Sequence, residues 1–465
     1  MGITQQISEK IVGTRYEDLG EECVHRVKQA IKDGIAVAVA GRDQEPVRIA
    51  VEHVTDFGAK PQATVWGHAF KTSPVYAAFV NGVATHVLDF EPMWSPPTHS
   101  VSPTVPVAFA LAEMNGLSGK RIVTAVAKGL EIQGRMQYAG NQYVPEELLF
   151  HPPGVAGVIG AAVTAGHLLK LDTLKLRHAI GIAASRTGAL LGNVGSMTKS
   201  THCGNAGAAG LDSALLARRG FTANPDIFEA HKGLIVTFFP DGFDAERFLA
   251  YGKPFRVVDP GLAIKLFPSQ YGTHFAITAG LELHSQIADK RRIRSVRMVS
   301  PVMKYVDRPA PVSGLDGKFS FQYTAAAAIL DGEVKIDTFS DRRRFKSDMT
   351  ELLGKITLKQ DASIPNDLHE MRVEITVETD AGERYTAVCR GPKGTWGMPP
   401  LDPADHRAKL EDCLGRMLAP AEVTRVLELL ERLDKQSAES VREIMRLVGG
   451  TKKKKAVRPS RAAKT

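Results

Sequence analysis

Residues 23–40 read CVHRVKQAIKDGIAVAVA, with apolar side chains three and four apart rather than at every second position. That spacing predicts a helix with one broad apolar face. The same periodicity continues from about 15 to 260, so this half of the chain is expected to be nearly all helix. Within it, Gly154, Gly157, Gly160, Ala161 and Ala165, and then Gly204, Gly207, Ala208 and Leu211, place small residues three and four apart. Rows of that kind let helix axes approach closely, which predicts central helices of a large bundle. The stretch GVAGVIG (154–160) lacks the GxGxxG spacing and a preceding strand, so it reads as helix packing and not as a nucleotide loop.

The pattern changes between 290 and 390. IRSVRMVS (293–300), KITLK (355–359) and MRVEITVET (371–379) alternate β-branched with polar residues and predict strands, while FSFQYTAAAAILDG (319–332) predicts a helix closed by Gly332. After residue 400 the helical spacing returns, with an amphipathic run over 420–447. The expected fold is mainly α: a large all-helical domain (1–262, completed by 396–450) with a smaller α+β lid domain (263–395), followed by a disordered basic tail (451–465). A cleft between the two domains is the natural place for a site.

The chain has 465 residues, enough for two cores, and a formal charge of +8. Lys452 to Lys455, Arg458, Arg461 and Lys464 carry seven of the cations; without them 52 basic residues face 51 acidic ones. The body is therefore near neutral. Nucleic acid is not an expected partner, unless the tail itself serves as a polyanion contact. No apolar run reaches the ~18 residues of a membrane span. The N-terminus MGITQQ has no charged-then-apolar leader, and Gln6 stands where a myristoylation signal wants Ser or Thr. A cytoplasmic protein is expected. Cys23, Cys203, Cys389 and Cys413 form no CxxC pair and no zinc-like spacing; they read as free thiols, and their scatter argues against an iron–sulfur dehydratase.

Chemistry-bearing residues concentrate in short stretches at the edges of the helical pattern: SPPTHSVSPT (95–104), HPPG (151–154), MTKSTH (197–202) and KLFPSQYGTH (265–274). His99, Lys199, Lys265 and His274 within them are cationic or hydrogen-bonding groups of the kind a small polycarboxylate needs. His86, His167, His178 and His284 lie within helical patterns and read as packing or surface residues.

Taken in order, NGVATHVLDF (81–90), the Thr98–His99 pair, His151–Pro152, MTK (197–199), RRGFT (218–222), KLFP…YGTH and FSFQY (319–323) resemble the MmgE/PrpD family over about residues 10–445. The family includes 2-methylcitrate dehydratase, cis-aconitate decarboxylase and an iminodisuccinate epimerase. The resemblance implies a homodimer and a lyase or isomerase working without cofactor or metal on small di- and tricarboxylic acids. It also implies a site: Asp89, His99, His151 and Tyr323 as catalytic groups, with Lys199 and Lys265 holding substrate; His274, Gln270 and Trp94 are expected to join them in contacting it. His99 is the expected proton carrier, oriented by Asp89, and Tyr323 the group that stabilises an enolate-like intermediate. Dehydration is the expected reaction, with decarboxylation, epimerisation or an inactive carboxylate-binding homologue as alternatives. The chain departs from its relatives at Glu91, Pro92 and Met93, where AspAspThr usually follows LeuAspPhe, and at Gln270, where the decarboxylase has a histidine. The first departure is expected to remove a second carboxylate from the rim, and the second a group able to carry a proton at neutral pH.

Overall fold

A computed structural model describes residues 1–144, 147–396 and 401–450; the basic segment 451–465 lies outside the described residues. The 23–40 stretch lies in helix Glu21–Gly41, and from Ala30 to Gly41 every residue is buried. Packed in the same body are helices Pro74–His86, Val101–Asn115, Gly119–Ala139, Ala156–Leu168 and Thr198–Arg218. The small residues do what their spacing predicts. A Cβ added at Gly204 would stand 2.5 Å from the carbonyl oxygen of Phe79, and one at Gly82 would stand 2.9 Å from the Cα of Gly204. Helices Pro74–His86 and Thr198–Arg218 therefore touch backbone to backbone. At Gly160 a Cβ would meet Nε2 of Gln133 at 2.4 Å.

The C-terminal helices Pro403–Gly415, Pro420–Glu431 and Ala438–Gly449 return to this body. The amphipathic run expected over 420–447 is two helices, broken by a single tight turn at Leu433–Lys435. A buried ion cluster fixes the return: Lys409 Nζ donates to both oxygens of Asp33 (2.9 and 2.8 Å) and to the Phe90 carbonyl (2.7 Å), and His406 Nε2 lies 3.1 Å from Asp33.

The second region is built on a four-stranded sheet with spatial order 356–360, 293–300, 373–379, 384–389. The first pair is parallel and the other two antiparallel. Helix Thr273–Gln286 packs on the last two strands and helix Phe321–Asp331 packs on that helix. Gly332, at φ 68°, ends the latter, as its position in the sequence predicts. Two apolar cores result. Ile336 of the lid joins the core of the helical body, and Met93 of the body joins the core of the lid. Strands 63–65 and 70–72, a short hairpin inside the helical half, and strand 384–389 were not expected from the sequence.

Candidate active site

Helix Pro74–His86 ends in a turn in which Asp89 N donates to the His86 carbonyl (2.8 Å) and Asp89 adopts a left-handed backbone, φ 51°. Aspartate tolerates that region better than most residues. The turn places the Asp89 carboxylate between two ammonium groups from different parts of the chain. Lys199, in the first turn of helix Thr198–Arg218, donates to Oδ2 at 2.7 Å, and Lys265, fully buried, donates to Oδ1 at 2.5 Å. Lys265 is positioned by a two-way backbone bridge between Met93 and Ala263 (2.9 Å each way), and the Thr98–His99 segment is pinned to Trp94 by a backbone bond of 3.0 Å. The loop carrying His99 and the segment carrying Lys265 are thus tied together.

His99 lies with Nε2 3.7 Å from Asp89 Oδ1 and Nδ1 3.6 Å from Glu91 Oε1. Both separations exceed a hydrogen bond, and Nδ1 has no partner among the described residues. Glu91 itself is fully buried: its oxygens accept from Ser102 N (2.7 Å) and Ser102 Oγ (2.8 Å), and Oε1 lies 2.7 Å from His86 Nδ1. The rings of His86, His99, His151 and His202 follow one another at centroid separations of 4.6 to 5.9 Å.

Burial sets the protonation of this group. It disfavours the Asp89 carboxylate, but Lys199 and Lys265 override it and hold the acid well below the usual range, so Asp89 is ionised. Desolvation pushes His86, His99 and His151 well below their ordinary values, with the Lys199 charge adding to it, so all three imidazoles are neutral near pH 7. Glu91 moves the other way. Desolvation outweighs its hydrogen bonds from Ser102 and raises it to about 8, leaving a protonated acid beside a neutral His99. Burial lowers Lys265 to about 8, against the pull of Asp89, and lowers Lys318 to about 7.

A cavity of about 230 Å³ opens on this cluster. Asp89, His99, His151, Lys199 and Gln270 line it, and so do Met93, Leu148, Leu191, Val194, Tyr271, Tyr305, Phe319 and Leu368. The size suits a small metabolite. Gln270 is not idle: Nε2 donates to Tyr305 Oη (2.6 Å) and Oε1 accepts from Thr273 N (3.1 Å), which fixes its amide in the wall.

The other sequence-based candidates lie elsewhere. The Tyr323 hydroxyl donates to the Thr338 carbonyl and its ring packs near Phe339, inside the lid core, because the helix turns that face away from the cavity. Trp94 is fully buried in the helical body, beside Gly134; its backbone holds the His99 loop while its indole is out of the cavity. His274 stacks on Tyr271 at 4.9 Å, one layer behind the lining. The sequence reading also missed groups. His86 reads as a packing residue within an apolar helix yet joins the cluster through Glu91. Glu91 supplies the second carboxylate that its departure from AspAspThr was expected to remove. Lys318, which donates to the Leu88 carbonyl (2.9 Å) behind Asp89, adjoins the FSFQY stretch; a lysine amid apolar residues there was a usable signal. Among the described residues two sets of atoms are close enough to share a metal ion, His86 with His151 and Cys203, and His86 with Glu91 and His99, each set lying within 4.8 Å. The four cysteines are buried and free.

Comparison with known proteins agrees with this architecture. Residues 5–246 match the MmgE/PrpD N-terminal domain and residues 267–435 the MmgE/PrpD C-terminal domain. Cis-aconitate decarboxylase of Mus musculus is 29% identical over 445 residues, covering 93% of this chain and 91% of that protein. The Homo sapiens cis-aconitate decarboxylase is 29% identical over 93% of this chain and 92% of its own length. The 2-methylcitrate dehydratase of Escherichia coli (strain K12) is 24% identical over 69% of this chain and 71% of its own. With both family domains matched in order across most of its length, the chain belongs to the MmgE/PrpD family.

Proposed function

We propose that the chain is a lyase acting on a small tricarboxylic acid, with His99 moving the proton and carbon dioxide as the group lost. The observation that supports it best is the Asp89 carboxylate held by Lys199 (2.7 Å) and Lys265 (2.5 Å) at a cavity that His99 also lines, with Glu91 3.6 Å behind the ring. Two to three ammonium groups face one ionised carboxylate, which leaves the site net cationic and suited to a polyanion. Lys199 and Gln270 line the cavity and are the groups that would hold substrate carboxylates.

Decarboxylation breaks a C–CO2 bond, leaves the electron pair on carbon and consumes one proton there. His99 Nε2–H gives that proton while its unpartnered Nδ1 takes one from the Glu91 acid 3.6 Å away, so the imidazole changes tautomer and stays neutral, and Glu91 is left ionised until water returns its proton. The fixed cations stabilise the charge that builds on the remaining carboxylates, worth typically ~3 to 4 kcal/mol per donor. His151 stands across the cavity wall from His99 and would orient the carboxylate to be lost. The near full-length likeness to cis-aconitate decarboxylases favours loss of carbon dioxide over the dehydration expected from the sequence. Dehydration is the second reading, favoured by the presence of both a neutral base and a protonated acid and by the likeness to 2-methylcitrate dehydratase. A cytoplasmic homodimer without cofactor completes the proposal; no helix among the described residues is long and apolar enough to cross a membrane.

Proton NMR in deuterated water with cis-aconitate, citrate and 2-methylcitrate tests it. Release of carbon dioxide with one deuterium in the product is the expected result. Loss or gain of water would move the assignment to a hydro-lyase, and exchange without net change to an isomerase.

A further inference from the structure

We propose a second binding site, for a small carboxylic acid with a short apolar chain, in the cavity of about 560 Å³ between helices Ile3–Gly13, Gly119–Ala139 and Thr173–Ala184. Its central group is Lys128. The side chain is 1% exposed, lines the cavity, and makes no hydrogen bond or ion pair among the described residues, the one carboxylate whose charge reaches it being Asp18. A buried ammonium without an acceptor is costly, and burial lowers it only to about 8, so it stays largely charged at neutral pH. Every other lysine buried in the body or beside Asp89 has its partner: Lys409 has Asp33, Lys265 has Asp89, and Lys318 has the Leu88 carbonyl.

The surroundings supply the rest of an anion site. Arg121 lies seven residues before Lys128 and so on the same helix face. Its Nη2 donates to the carbonyls of His167 and Leu168 (3.0 and 3.3 Å), which holds the guanidinium in the wall, and its Nε is buried without a partner. His167 Nε2 is likewise buried and unpartnered. Lys120, Lys170 and Arg15 add positive charge at the cavity against one lining carboxylate, Asp172, whose oxygen already accepts from Lys175 N at 2.8 Å. Lys120 and Arg15 are in turn paired with Glu17 and Asp18 at the rim. The remaining wall is mostly apolar, from Ile11, Val12, Leu171 and Leu176, interrupted by Thr14, Tyr16 and Thr124. A carboxylate on Lys128 and Arg121 with its hydrocarbon along that wall satisfies both halves. The site is separate from the catalytic cavity: helix Ala156–Leu168 starts just after His151 and ends at this one, a length of about 20 Å.

Titration calorimetry of the full chain with hexanoate, with hexanol as the uncharged control, tests the proposal. Hexanoate is expected to bind and hexanol not. Lys128→Met, which removes a buried charge at similar volume, is expected to keep the fold and weaken hexanoate at least tenfold, with Arg121→Gln doing the same. Lys199→Met in the catalytic cavity should leave that binding unchanged. Absence of hexanoate binding, equal affinity in the Lys128 and Arg121 variants, or loss of binding in Lys199→Met would each overturn it. Lys128-dependent binding of inorganic phosphate without any of hexanoate would overturn the apolar half of the assignment.

Discussion

Two buried aspartates in this protein are each held by lysine, and they differ in what is left over. At Asp33, Lys409 contacts both oxygens, spends its third donor on the Phe90 carbonyl, and His406 completes the set; a neighbouring cavity is lined by His406 but by neither Asp33 nor Lys409. At Asp89, two lysines share one carboxylate and His99 stands 3.7 Å off, facing a cavity. A saturated cluster has no capacity to bind anything further, so it serves as a clamp. The unsaturated one keeps neutral nitrogens and net positive charge available to a ligand. Residue type does not separate structure from function here; completeness of hydrogen bonding does.

Substitutions should pull the two clusters apart. The largest effect expected is on turnover: His99→Gln should lower kcat/KM by roughly two to four orders of magnitude, and Lys199→Met by about two to three, with melting temperatures little changed. Near wild-type rates in both would remove these residues from the mechanism. At the other cluster the damage should fall on stability. Lys409→Met strips Asp33 of its ammonium and leaves it only His406, which should cost about 3 to 5 kcal/mol in denaturant unfolding, while the folded fraction turns over normally.

The pH response sharpens the contrast further. The buried histidines are depressed in the folded protein, so the unfolded chain takes up protons first and stability should fall as pH drops below about 6.5. Glu91 acts in the opposite sense. It is raised from its ordinary 4.5 to about 8, so the stability it contributes is complete below pH 4.5 and declines as pH rises toward 8. Glu91→Gln should remove that alkaline decline while slowing turnover, and a stability difference between wild type and Glu91→Gln that stays constant from pH 5 to 8 would count against a protonated Glu91. Activity should also fall as pH rises through about 8, where Lys265 and Glu91 lose their protons. The smallest effect is predicted for Tyr323→Phe: about 1 kcal/mol of stability from the lost bond to Thr338, and turnover within a factor of about three.

Tyr323 is also where the sequence and the fold part. Periodicity was enough for the helical body and for strands 293–300, 356–360 and 373–379, because a long repeat of apolar residues has one physical reading. Three-residue strands at 63–65 and 70–72 are too short to show alternation. Of the residues at the cavity, His99, His151 and Lys199 stand out in the sequence because each lies beside Pro or Ser at the edge of an apolar pattern, whereas Asp89, between Leu88 and Phe90, and Gln270 are singled out only by the family resemblance. The facing of Tyr323 was not, since a helix shows its period in sequence but not its rotation against a partner. His86 was hidden for the converse reason: an imidazole at an apolar helix position looks like packing until its ring nitrogen is seen 2.7 Å from Glu91.

The glycine contact between helices Pro74–His86 and Thr198–Arg218 has a consequence for how such a protein can vary. One helix leads to Asp89 and the other bears Lys199, so the missing side chains act as a caliper that sets the distance between the two charges. A single methyl at Gly204 would open it. The apolar lining contributed by Leu148, Leu191, Val194 and Leu368 carries no such constraint. New substrates can thus be accommodated by recutting that lining, one side chain at a time, with the charged jaw left at its original setting.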